Sequence, residues 1–102
     1  MFIDKITLST DKVELTTSNI YNLKIYPNPS KDIFSIDVFI PNTEESVLEV
    51  FNILGVKVES IKIDKSIGLK TILLDISKMA SGEYILIFKN NSNIIEKKII
   101  KL

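Results

Sequence analysis

Ile33-Phe34-Ser35-Ile36-Asp37-Val38-Phe39-Ile40 is the stretch that decides the fold. Phe34, Ile36, Val38 and Ile40 fall on one side of an extended chain, and Ser35 and Asp37 on the other. Side chains alternate across a strand with a period of two, so this run predicts a strand with one face buried and one wet. Pro41-Asn42 closes it, because proline cannot donate to a sheet ladder.

The neighbouring segments read the same way. Leu23 to Tyr26 alternates and is stopped by Pro27-Asn28-Pro29-Ser30, where two prolines remove two ladder donors and the chain must turn. Val47 to Ile53 is a strand with Leu48 and Val50 toward the core. Asn52-Ile53-Leu54-Gly55 reads as a hairpin turn, since Gly55 accepts the positive φ that tight connections need. Val56-Lys57-Val58 returns, and Ile61-Lys62-Ile63 continues or re-registers it. Lys70 to Ile76 follows, with Ile72, Leu74 and Ile76 on one face. Ser77 to Gly82 is the only candidate for a helical turn and is too short for a stable helix. Tyr84 to Phe88 is apolar on both faces, which suits a central strand. Asn90-Asn91-Ser92-Asn93 reads as a polar surface hairpin, and Ile94 to Leu102 as a final strand studded with Lys.

Strands punctuated by turns every 8–12 residues or so predict an all-β chain, an immunoglobulin-like β-sandwich of about seven antiparallel strands. A small barrel is the alternative, because spacing alone does not separate closed from open sheets. The sandwich spans residues 21–102. Residues 1–20, with Ile3, Ile6 and Leu8 among Thr and Ser, read as a linker or an appended N-terminal strand.

Composition narrows the chemistry. A chain of 102 residues, 45% hydrophobic, is long enough for one core. Thirteen Lys balance thirteen Asp plus Glu, and there is no His, Cys, Trp or Arg. That removes imidazole acid–base catalysis, thiolate nucleophiles, zinc and iron–sulfur ligation, disulfides and guanidinium clamps. Zero net charge argues against a nucleic-acid partner. Tyr84 to Phe88 is the longest apolar run, far short of the roughly 18–20 residues that span a bilayer, so no membrane insertion is expected. Charges at Asp4, Lys5, Asp11 and Lys12 interrupt any N-terminal secretory signal. The chain as it stands therefore reads as soluble, and as intracellular or a fragment of something larger.

Candidate sites of reaction are sparse. Glu44-Glu45 sits in a polar loop, without the contrasting environments that acid–base pairs need. Ser30-Lys31, Lys65-Ser66 and Ser77-Lys78 lie in turns, where adjacent side chains diverge. Asp32, Asp37, Asp64 and Asp75 could line a calcium site but form no clustered loop. Asn90-Asn91-Ser92 matches a glycosylation sequon, which an Asn-rich hairpin explains equally well. No enzyme activity, metal or cofactor is expected. What remains is the Pro27–Ser30 turn, Gly82 before a Tyr84 whose hydroxyl can cap a backbone group, and Lys97, Lys98 and Lys101, of the kind that blunt edge strands.

Taken in order, Leu23-Lys24-Ile25-Tyr26-Pro27-Asn28-Pro29-Ser30, Val50-Phe51-Asn52-Ile53-Leu54-Gly55, Leu74-Asp75-Ile76-Ser77 with Ala80-Ser81-Gly82-Glu83-Tyr84, and Lys97-Lys98-Ile99-Ile100-Lys101 resemble the type A C-terminal sorting domain of type IX secretion cargo in Bacteroidota. The resemblance covers about residues 21–102 and rests on the order and spacing of weak motifs. It implies a seven-stranded sandwich without catalysis that ends an exported cargo protein and is read by the type IX secretion machinery from the periplasm. It also implies removal by a sortase-like peptidase and a secreted or cell-surface destination. By position it singles out Pro27, Asn28 and Pro29, the turn glycine Gly55, the corner residues Gly82 and Tyr84, and the basic Lys98 and Lys101. The missing cargo and signal peptide are the departure, and imply a fragment.

A signal carried by unrelated cargoes is best recognised through backbone edges and a few side chains. The Lys-bearing last strand would then offer a docking ladder for strand addition and a charge handle. The alternative is a cell-surface binding module for glycan or protein, for which Tyr21 and Tyr26 are the only plausible aromatic platform.

Overall fold

The computed structural model describes residues 21–102, so the linker or strand expected over residues 1–20 lies outside the described residues. Seven strands follow: β1 (Lys24–Tyr26), β2 (Ile33–Ile40), β3 (Ser46–Asn52), β4 (Lys57–Ile63), β5 (Gly68–Asp75), β6 (Gly82–Asn90) and β7 (Asn93–Lys101). They form two antiparallel sheets, one in the order β1-β2-β5 and the other β4-β3-β6-β7. Two separate sheets make a sandwich of immunoglobulin-like order, and the barrel alternative falls away.

The alternation in β2 works as expected. Phe34, Ile36, Val38 and Ile40 are fully buried, facing Leu48 and Val50 of β3, Leu86 and Phe88 of β6, and Ile95 and Ile99 of β7 across the core. Burial of each large aliphatic or aromatic side chain contributes about 1.5–3 kcal/mol, which makes this interior the main source of stability. β6 lies between β3 and β7, as its two apolar faces predict: Leu86 and Phe88 point inward, while Ile85 and Ile87 are half-buried outside. Lys57-Val58 and Ile61–Ile63 belong to one strand, β4, which starts one residue after Val56 and re-registers at a bulge opposite Val50 and Phe51. Ser77–Ser81 forms a turn that leads into β6 at Gly82, with the Met79 amide on the Ile76 carbonyl, and not a helix.

Each sheet edge is blunted. β1 has only three residues before Pro27. β4 carries the bulge, which twists an edge away from flat pairing. β5 keeps Lys70 on its core-facing side, held by Asp64 and Ser66, and an inward lysine discourages a further strand. β7 is covered over its last residues by the segment that follows β1.

One end of the sandwich encloses a polar network that sequence reasoning placed on the surface. Asn90 ends β6 fully buried. Its Oδ1 accepts the Tyr21 hydroxyl at 2.8 Å and Asn42 Nδ2 at 3.0 Å. Its Nδ2 donates to Asn42 Oδ1 at 3.1 Å and Ser46 Oγ at 2.7 Å. Every hydrogen-bonding position of that amide is thus used, the condition for burying it without penalty. The sequon asparagine is therefore a structural residue inside the fold. Tyr21, also buried, packs edge-on against Phe88 at 5.3 Å and accepts Asn93 Nδ2. It cannot serve as a glycan platform.

Candidate recognition surface

At the other end, strand register gathers the four separated motifs. Asn52, which begins the Gly55 turn, pairs with Tyr84; Gly82 pairs with Lys101; and Ser30 bridges to Lys101 from the proline segment.

The Pro27–Ser30 segment does more than turn. Both of its X–Pro peptide bonds are cis. The chain leaves the edge of the three-stranded sheet at Tyr26 and runs parallel to the edge of the four-stranded one. Asn28 Nδ2 donates to the Lys98 carbonyl at 3.0 Å, and Asn28 Oδ1 accepts the Ile100 amide at 3.0 Å. Ser30 continues the ladder: its amide donates to the Ile100 carbonyl and its carbonyl accepts the Leu102 amide. The Ser30 hydroxyl, buried, donates to the Ile33 carbonyl at 2.7 Å and ties the segment to β2. Pro27 and Pro29 flank Asn28 without amide donors of their own, so its side-chain amide makes the ladder contacts.

This corrects the docking-ladder expectation. From the Lys98 carbonyl to the Leu102 amide, the outward backbone groups of β7 already have partners, so strand addition there would first require displacing Asn28 and Ser30. What β7 offers a partner is side chains. Lys97 and Lys98 are exposed and Lys101 is half-buried. Lys98 lies 3.8 Å from Glu83, a loose surface pair of little energetic weight.

The Gly82–Tyr84 corner forms as expected. Tyr84 at the start of β6 donates its hydroxyl to the Ala80 carbonyl at 2.6 Å, the tyrosine-corner arrangement of such sandwiches. Gly82 has φ +144°, where a side chain is strained even though open space surrounds it. Gly55 has φ +84°. Sequence reading missed the organising role of Asn52: its Oδ1 accepts the amides of Leu54 and Val56, and its carbonyl accepts Gly55. An Asn three residues before a turn glycine is a legible signal for such a turn.

Several other charged residues pair within the fold. Glu49, on the outer face of β3, stands between Lys89 at 2.9 Å and Lys57 at 3.1 Å, and these ammonium groups, Lys89 first, hold its carboxyl below the ordinary range. Asp37 accepts the hydroxyls of Tyr26 and Thr71, each at 2.8 Å, and the first contact raises the Tyr26 phenol. Asp75 caps the Ser77 amide and Asp64 accepts Ser66 Oγ, which lower both carboxyls. Among the described residues these carboxylates do not come together in a group that could hold a metal, and no helix is long and apolar enough to cross a membrane.

None of the curated proteins matches the chain. The family model described as secretion system C-terminal sorting domain matches residues 24–102, a span that takes in all seven strands.

Proposed function

Because the chain belongs to the family of secretion system C-terminal sorting domains, we propose that the type IX machinery reads this sandwich at the end that carries Asn28, Gly55, Gly82, Tyr84, Lys98 and Lys101. The observation that carries this reading is convergence. Four motifs spread from Pro27 to Lys101 are brought by strand register to one end, whereas the chain enters at the other, through Tyr21. An address used on unrelated cargoes must fold without help from them and present its features away from the junction. A self-contained core and a distal display meet both needs. Asn28, set between Pro27 and Pro29, holds β7 in place, Gly82 and Tyr84 hold the corner, and Lys98 and Lys101 supply the charge. Export then carries the upstream cargo across the outer membrane. A sortase-like peptidase cuts on the N-terminal side of the sandwich, leaving the cargo secreted or at the cell surface. The domain takes no part in catalysis.

The test is a reporter with its own N-terminal signal, fused ahead of residues 1–102 and expressed in a host with type IX machinery. The reporter is expected in the medium or on the cell surface, and in the periplasm of a strain lacking the machinery. Periplasmic retention in both strains would defeat the proposal.

A further inference from the structure

Ile53 and Leu54, at the β3–β4 hairpin tip, are the most exposed aliphatic side chains at this end of the described residues. Ile53 is 76% exposed, Leu54 83% and Val56 55%. Apolar side chains at a turn are usually costly to dock, because the turn's backbone amides must also leave water. Here Asn52 lowers that cost: its side chain and carbonyl take the amides of Leu54, Gly55 and Val56, and its own amide donates to the Val56 carbonyl at 2.9 Å. The tip is apolar outside, and three of its amides are satisfied inside. It is also preorganised, which lowers the entropic cost of binding.

Beside the tip lies a cleft of about 300 Å³, lined by Ile53 and Leu54 of the tip and by Ala80, Ser81, Glu83 and Tyr84 of the corner. Tyr84 is fixed there by its bond to Ala80. A knob beside a hole fits a shaped protein surface. A bilayer would use the knob and leave the cleft unfilled. A second copy of the chain does not suit either, since three side chains offer a small part of the about 800 Å² per partner that a stable interface buries. They suffice as the anchor of a transient contact, in which a few desolvated side chains carry most of the affinity.

We infer that the Ile53–Leu54 tip inserts into an apolar pocket of a folded protein partner, which returns a side chain into the cleft against Tyr84. The inference rests on the sorting reading and adds an apolar anchor to the contact with the export machinery, beside the Lys98 and Lys101 side chains and away from the closed backbone ladder of β7. The experiment uses the same reporter fusion with Ile53→Ser and Leu54→Ser together, and Ile94→Thr as a control at the opposite end, where Ile94 is 62% exposed. The tip variant is expected to keep its Tm and lose at least tenfold in extracellular reporter, with the control exported normally. Wild-type export of the tip variant overturns the inference and leaves the sorting reading intact. Retention of the unsubstituted fusion overturns both. Sedimentation with phosphatidylcholine–phosphatidylglycerol vesicles separates protein from lipid: vesicle binding by the wild-type domain that the tip variant loses overturns the protein partner.

Discussion

The side chain of Asn28 accepts the Ile100 amide and donates to the Lys98 carbonyl, so one amide group makes the two contacts a neighbouring strand would make. Asn28→Ala is expected to lower stability by about 1 kcal/mol, because both groups lie near solvent and water replaces the lost partner. Exchange of the Ile100 amide should quicken, and Asn28→Asp, which keeps only the acceptor, should fall between. An Ile100 amide equally protected in the alanine variant would show that Asn28 does not cover the edge.

The tyrosine corner can be taken apart in two ways. Tyr84→Phe removes only the bond to Ala80 and should cost about 0.5–1.5 kcal/mol. Gly82→Val forces a β-branched residue to φ +144° and should cost about 1–3 kcal/mol. In a domain of this size each kcal/mol shifts Tm by about 4–8 °C, which calorimetry resolves. Unchanged Tm in the valine variant would mean that the residue does not adopt this conformation.

Asn90 satisfies three partners from inside the fold. Asn90→Ala removes the acceptor of the Tyr21 hydroxyl and of Asn42 Nδ2 and the donor to Ser46 Oγ, and about 2–4 kcal/mol should be lost in urea unfolding. A loss below about 1 kcal/mol would place Asn90 in contact with water, as a surface hairpin would have it.

Acid should unfold the domain through its carboxylates. The Glu49 carboxyl is held below its usual 4.5 by Lys89 and Lys57, and Asp64 and Asp75 below 3.8. A depressed folded value means that the unfolded chain takes up protons first. The stabilisation is therefore complete above the unfolded value and is lost as pH falls through the folded one. Tm should stay level down to about pH 5 and then drop, and Glu49→Gln should shallow the drop. A variant profile parallel to wild type throughout would remove Glu49 from the account.

Lys98→Glu with Lys101→Glu is expected to leave the fold within about 0.5 kcal/mol, since Lys98 is exposed and the half-buried Lys101 lies outside the core. Export of a fused reporter should fail, because the substitutions reverse the charge at the end proposed to be read. Normal delivery of the reporter by this variant would rule out the charge handle.

Much of the fold is legible locally. The period-two run from Phe34 to Ile40, the two-sided apolar run from Tyr84 to Phe88 and the turns at Pro27, Pro41 and Gly55 follow from the geometry of an extended chain and from the residues that interrupt it. The Gly82–Tyr84 corner is legible for the same reason, as the hydroxyl reaches back only four residues. The absence of His, Cys and Arg bounds the chemistry through composition alone, because a reaction cannot use a side chain the chain does not carry.

What the tertiary structure alone decided is partnership. Asn28 and Ile100 are 72 residues apart, and Tyr21 and Asn90 are 69. An amide or hydroxyl announces how many hydrogen bonds it can make, yet its partner depends on which strands become neighbours and in what register. That is why Asn90 and Tyr21 read as surface residues and lie in the interior, and why the β7 edge reads as open and is closed. Local sequence sets the strands, while the packing of two sheets determines which polar groups meet water and which meet each other.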